Sequence, residues 1–195
     1  TGASEALAAA VLALVEAGDE VIVLEPYFDL YAAIIAMAGA TRVAVPLAVP
    51  ESGTGDGFTL DERALAKAIT PRTRMIIVNS PHNPTGMVLS RDKLEAIARI
   101  AIDNDLLVIS DEAYEHLVFG GAKHVPIATL PGMFERSVTI GSGGKSFSFT
   151  GWKVGWASGP TDLITAVRVV RQHLSYVSAG PFQAAIAAGL RFPDS

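Results

Sequence analysis

Short apolar runs recur along the chain at Val21–Leu24, Met75–Val78 and Leu106–Ile109, each brief enough for a strand covered on both faces. Arg42–Val45, Ser137–Ile140 and Val154–Ser158 read as further short strands. Between the runs, apolar residues fall at helical spacing. Leu7, Val11, Leu14 and Val15 predict a helix over Ser4–Ala17 ended by Gly18, and Tyr27–Ala38 predicts a second closed by Gly39. Thr59 and Glu62 have the spacing of a capping box for a helix over Leu60–Ile69, which Pro71 breaks. Ser90 caps a helix whose expected buried face is Leu94, Ile97, Ala98, Ala101 and Ile102. A long helix is expected from Thr161 to about Ser178, and another starts at Pro181 and is still open at Ser195. Glu51–Gly57 reads as a Gly-rich loop. Apolar strands alternating with amphipathic helices predict an α/β fold around a mostly parallel sheet.

Such sheets bind ligands beyond the carboxyl ends of their strands. Polar clusters follow three of the predicted strands there: Asn79–Gly86, Asp111–Tyr114 and Ser142–Lys145. Their convergence on one rim says more than any one of them. Individually each has an ordinary reading. Asn83-Pro84-Thr85-Gly86 is rich in turn formers, Asp111 could cap a helix, Phe28 could be core, and Lys153 could be a solvated charge. Thr1–Glu5 is either a plain helix cap or a set of free N–H groups suited to an anion. Lys145, on a Gly-rich turn at a strand end, is either an amine nucleophile or a phosphate ligand. It does not belong to a P-loop, which would require glycine at position 139, where the chain has Thr139.

Composition narrows the chemistry. The chain has 195 residues, half of them apolar, enough for a sizeable core near the upper size of one domain. It contains no cysteine, which excludes disulfides, thiol nucleophiles and Cys-based zinc sites. A net charge of −5 gives no electrostatic case for nucleic acid. His82, His116, His124 and His173 lack metal-ligand spacing and are expected in packing or surface roles, so no metal site is expected. No run approaches the roughly 20 apolar residues of a membrane span, and no secretion signal is evident. The opening Thr1-Gly2-Ala3, without an initiator Met, suggests a piece of a longer chain.

Taken in order, Gly2-Ala3-Ser4-Glu5-Ala6, Pro26-Tyr27-Phe28-Asp29, Pro81-His82-Asn83-Pro84-Thr85-Gly86, Asp111-Glu112-Ala113-Tyr114, Ser142-Gly143-Gly144-Lys145 and Gly151-Trp152-Lys153-Val154-Gly155 resemble the class I/II aminotransferases. These are fold type I enzymes that use pyridoxal 5'-phosphate (PLP). The likeness runs from Thr1 to about Gln183. It is greatest to the branch holding kynurenine, methionine-type and N-succinyldiaminopimelate aminotransferases, to the last through Tyr114-Glu115-His116-Leu117 and Gln172-His173-Leu174-Ser175-Tyr176.

The resemblance implies a three-layer αβα fold and a role for each matching residue. Lys145 would form the Schiff base with PLP and move the substrate proton. Asp111 would pair with the ring nitrogen and keep it protonated. Asn83 and Tyr114 would hydrogen-bond the phenolic oxygen, and Phe28 would stack on the ring. Ala3 and Ser4 would offer N–H groups to the phosphate, with Ser142 and Lys153 as side-chain partners. Position 153 is often Arg in the wider class; Lys gives up the bidentate fork.

Family members are about twice this long, so residues 1–195 would be the PLP-binding large domain alone. The N-terminal segment and the small domain carrying the substrate-carboxylate arginine would be absent, a role not carried to Arg168, Arg171 or Arg191. The implied partners are an amino acid, a 2-oxo acid and a second copy of the chain in a homodimer, and the expected location is the cytoplasm. A PLP-dependent C–S β-lyase, and a catalytically incompetent binding or regulatory domain, remain as alternatives.

Overall fold

The apolar runs pair into one six-stranded sheet, flanked by helices on both faces. The computed structural model describes residues 1–49, 57–177 and 180–192. Its strands are β1 (Glu20–Glu25), β2 (Thr41–Pro46), β3 (Thr73–Asn79), β4 (Leu107–Asp111), β5 (Ser137–Ser142) and β6 (Gly155–Ser158). They lie in the order β2-β1-β3-β4-β5-β6; all neighbours are parallel except β6, which runs antiparallel to β5. The helices are α1 (Gly2–Leu14), α2 (Leu30–Met37), α3 (Glu62–Lys67), α4 (Arg91–Asp103), α5 (Gly143–Ser146), α6 (Thr161–Leu174) and α7 (Gly180–Gly189).

Alternation along the strands builds two cores. Ile22, Leu24, Ile76, Val78 and Val108 face one side, where Leu65 of α3 and Leu94, Ile97 and Ala101 of α4 cover them. Val21, Val23, Met75, Ile77 and Ile109 face the other, under Leu7 and Val11 of α1, Ile34 and Ile35 of α2, and Val167 of α6. This is the expected three-layer αβα arrangement. It explains why these strands are apolar throughout rather than at alternate positions.

The register aligns the strand ends. Asn79 at the end of β3 pairs with Asp111 at the end of β4, and Asp111 with Ile140 of β5, two residues before Ser142. The three polar clusters therefore emerge on one rim.

Several boundaries differ from the sequence expectation. α1 starts at Gly2 rather than Ser4 and ends at Leu14 rather than Ala17, Val15 being extended. α2 starts only at Leu30; Pro26–Asp29 stay outside any helix. α3 is capped by Asp61, whose side chain accepts from the N–H groups of Arg63 and Ala64. Thr59 instead bridges to Ala48, so the Thr59–Glu62 capping box does not form. Ile102 is exposed, whereas Leu94, Ile97, Ala98 and Ala101 are buried as expected. α6 stops at Leu174, and Ser178 lies outside the described residues. α7 starts at Gly180 and closes at Gly189 rather than running open to the end. Of the expected Gly-rich loop, residues 51–56 lie outside the described residues.

Candidate active site

Beyond the carboxyl ends of β3, β4 and β5 lies a cavity of about 250 Å³. Asn83, Asp111, Tyr114, Ser142 and Lys145 line it from the three strand-end clusters. Ala3 and Ser4 line it from the first turn of α1, Phe28 from the segment after β1, and Lys153 from the loop into β6. All nine residues singled out in the sequence are thus brought to one cavity.

The lysine is placed by the β5–α5 junction. The strand ends at Ser142 and α5 is a single turn, so Lys145 projects three residues beyond the sheet. A Cβ on Gly144 would lie 2.9 Å from Thr150 Cα, so a bare residue is what lets this turn close against the next loop. Lys145 Nζ sits 5.4 Å from the centroid of the Tyr114 ring, within cation–π range.

Asp111 is buried at the end of β4. Its Oδ2 accepts a 2.6 Å hydrogen bond from the Tyr31 hydroxyl, and its Oδ1 accepts from the Ala113 N–H at 3.2 Å. Burial pushes its carboxyl above the ordinary aspartate value; these two donors oppose that, and the neighbouring Glu112 charge adds to it. No cationic side chain lies within ion-pair distance of it among the described residues. A buried carboxylate with only neutral donors, at the wall of a cavity, is matched to a cationic N–H group on a ligand.

Asn79 fixes the loop carrying Asn83. Its Nδ2 donates to the Asp111 and Pro81 carbonyls at 2.8 and 3.2 Å, and its Oδ1 accepts from the Asn83 N–H at 2.7 Å. His82, buried beside it, makes a 2.7 Å bond to Thr85 Oγ1, and burial lowers its pKa. Phe28 stands edge-on to Tyr31, with centroids 5.8 Å apart and planes at 86°.

The fourth wall is the start of α1. The Thr1 side chain makes no capping hydrogen bond to the first helical N–H groups. The helix end is pressed onto β6, where a Cβ on Gly155 would lie 2.5 Å from Ala3 N and 2.7 Å from Gly2 C. Lys153, beside it, is a non-glycine residue in the left-handed region, with φ 53° and ψ 42°. A non-glycine residue in that region carries backbone strain, which the surrounding contacts must hold in place.

Sequence reasoning missed Tyr31, Asn79 and Thr150. Asn79 opens the polar cluster Asn79–Gly86, which held the signal; Thr150, between Phe149 and Gly151, and Tyr31, among apolar residues, carried none. A second group also escaped it. Ligating atoms of Glu112, Glu115 and His124 lie within 4.8 Å of one another beside Asp111. Both oxygens of the buried Glu112 are engaged, one by Ser110 Oγ at 2.8 Å and one with His124 Nε2 at 2.9 Å, while Glu115 and His124 are only partly buried. A more open groove of about 520 Å³ between α1, β6, α6 and α7 lacks the lysine–aspartate pair.

The family model "Aminotransferase class I and II" matches residues 1–195. The probable N-succinyldiaminopimelate aminotransferase DapC of Mycobacterium tuberculosis is 57% identical over 194 residues, covering 100% of this chain and 48% of that protein. Kynurenine–oxoglutarate transaminase 3 of Bos taurus is 48% identical over 190 residues, covering 95% of this chain and 42% of that protein. The solved structure of N-succinyldiaminopimelate aminotransferase from Mycobacterium tuberculosis superposes with a TM-score of 0.93 at 58% identity, covering 97% of this chain and 48% of that one. YbdL from Escherichia coli, described as having a methionine aminotransferase function, gives 0.91 at 38% identity, covering 97% and 49%. The chain spans about half the length of the curated relatives it matches.

Proposed function

The chain belongs to the class I and II aminotransferase family, and from that premise we propose that its cavity holds PLP and serves the transfer of an amino group between an amino acid and a 2-oxo acid. Members of this family use PLP. The observation that carries the reading is Asp111: a buried carboxylate with no cationic side chain in ion-pair range among the described residues, lining the same cavity as Lys145 and the start of a helix whose first residue makes no side-chain cap. Those features fit the three chemical ends of this cofactor, a basic ring nitrogen, an aldehyde and a phosphate.

Asp111 would hold the ring nitrogen in its protonated form. The α1 start at Ala3 and Ser4, with Ser142 and Lys153, would take the phosphate. Phe28 would stack on the ring, and Asn83 and Tyr114 would reach its phenolic oxygen. Lys145 would be the amine that binds the cofactor and, once released, the base that moves a proton at the substrate α-carbon. When bound, PLP supplies an electron sink for the carbanion left by that proton transfer. The Tyr114 ring near Lys145 Nζ keeps this amine close to the cavity wall.

The match to N-succinyldiaminopimelate and kynurenine aminotransferases supports one of those donor classes for the whole protein. Residues 1–195 are read as its cofactor-binding large domain. The substrate-carboxylate arginine would come from the remainder, and a homodimer acting in the cytoplasm is the assembly we propose. No helix among the described residues is long and apolar enough to cross a membrane.

The test is spectroscopic and then chemical. Purified protein mixed with PLP should develop a visible absorbance band that borohydride fixes and Lys145→Ala abolishes. A folded protein with no such band would refute the cofactor site. In the full-length protein, consumption of an amino acid beyond one equivalent per site should require an amino acceptor. Release of pyruvate and ammonia from a cysteine-type substrate without one would assign the β-lyase reaction instead.

A further inference from the structure

We infer that Tyr31 is a positioning residue for the cofactor's ring nitrogen: its buried hydroxyl orients the Asp111 carboxylate and holds it ionised. The inference rests on the PLP reading above but concerns a residue to which that reading gives no role. Tyr31 is 2% exposed, and its hydroxyl donates to Asp111 Oδ2 at 2.6 Å across 80 residues of sequence. With Ala113 N–H on Oδ1, both carboxylate oxygens are tied from the protein side. The carboxyl plane is thereby fixed rather than free to rotate about its χ angles.

The Tyr31 hydroxyl keeps its proton under ordinary conditions and so remains available to donate. Burial, and then the Asp111 charge, push the Tyr31 phenol well above its usual range, so the proton stays on the tyrosine. A donor of that kind favours the ionised form of the carboxyl, against the burial that favours the neutral one. A neutral Asp111 could not keep a ring nitrogen protonated.

Tyr31 also links Asp111 to the ring-facing wall. It follows Phe28 by one turn, with its N–H on the Phe28 carbonyl at 3.0 Å and the two rings in edge contact. One short segment therefore sets both the stacking face and the direction of the carboxylate. Tyr31 lies in the first turn of α2, directly after the Pro26–Asp29 segment that carries Phe28.

The variant is Tyr31→Phe, which keeps the ring and removes the hydroxyl. In cofactor-free protein with ¹³C-labelled aspartate, the Asp111 carboxyl signal, assigned by its loss in Asp111→Asn, should titrate at higher pH in Tyr31→Phe than in wild type. With ¹⁵N-labelled PLP, the ring-nitrogen shift should move toward the unprotonated position at a pH where wild type is protonated. A hydrogen bond to a charged group predicts at least about a tenfold loss in kcat in the full-length protein, with KM nearly unchanged. Thermal melting establishes that the variants are folded. An Asp111 titration and a ring-nitrogen shift both identical to wild type would overturn the inference, whatever the activity. A wild type that takes up no PLP would instead refute the functional reading; the cofactor-free titration would still decide whether Tyr31 holds Asp111 ionised.

Discussion

Replacing Gly155 by alanine tests how the cavity would grip a phosphate. A Cβ there would stand 2.5 Å from Ala3 N, 2.7 Å from Gly2 C and 2.8 Å from Gly141 O. All three are backbone atoms, so no side chain can rotate away. Ordinary contact is roughly 3.5 Å or more, so the first turn of α1 must lift from β6 by about 1 Å. Overpacking of this kind costs about 1–3 kcal/mol of stability. The same lift moves the Ala3 and Ser4 N–H groups, the donors proposed for the phosphate. Each charge-assisted hydrogen bond lost is worth roughly 1.5–3 kcal/mol, or about 10- to 150-fold in affinity.

The assay is a titration of cofactor-free protein with PLP and, separately, with pyridoxal, which lacks the phosphate. Gly155→Ala should weaken PLP by at least about tenfold while changing pyridoxal far less. Gly151→Ala is the control, since a Cβ there meets nothing within 4 Å, and it should leave both affinities at wild-type values. If Gly155→Ala is folded and binds PLP as wild type does, or loses PLP and pyridoxal equally, the α1 start is not the phosphate site.

Asp61→Ala should cost about 0.5–2 kcal/mol in a denaturant melt through loss of the α3 cap. Thr59→Ala, which leaves the Asp61 bonds to Arg63 and Ala64 intact, should cost less, and the reverse ranking would restore the capping box. His82 gives a pH signature. Burial holds its folded pKa below the ordinary value near 6.5, so between the two values the unfolded chain binds more protons. Its stabilising contribution is therefore complete above about pH 6.5 and is lost as pH falls through the folded pKa. Melting temperature should fall over that window in wild type and fall less in His82→Gln, whereas parallel curves would remove His82 as the cause.

Most of the site was legible because its parts are polar residues at strand ends, where an apolar run stops abruptly. Asn83, Asp111, Tyr114, Ser142 and Lys145 stand out against Met75–Val78, Leu106–Ile109 and Ser137–Ile140 for that reason. The sheet register then does what local sequence cannot express, placing Asn79 beside Asp111 and Asp111 beside Ile140. Tyr31 was illegible because its ring packs with Ile34 and Ile35 in an apolar helix, and only its hydroxyl reaches a polar partner.

The misplaced helix ends have the same origin. Local spacing favoured Thr59 as a cap, but Ala48 recruits its backbone and leaves the cap to Asp61. Local spacing also started α1 at Ser4, whereas Gly2 opens it at φ +70°, close to the Lys153 backbone and with its carbonyl carbon against Gly155. In each case the deciding partner is remote in sequence.

The glycines of the Lys145–Lys153 region carry a more general consequence. Gly144 and Gly155 are both positions where an added Cβ would strike backbone, and the contacts they permit place different walls of one cavity. Gly144 seats the turn bearing Lys145 against Thr150, and Gly155 seats the α1 start beside Lys153. The covalent and phosphate-binding duties proposed for the two lysines thus depend on separate close contacts. A change at one glycine should impair one duty before the other. That separation would make the proposed roles of the two lysines distinguishable by experiment although both lie on one stretch of nine residues, from Lys145 to Lys153.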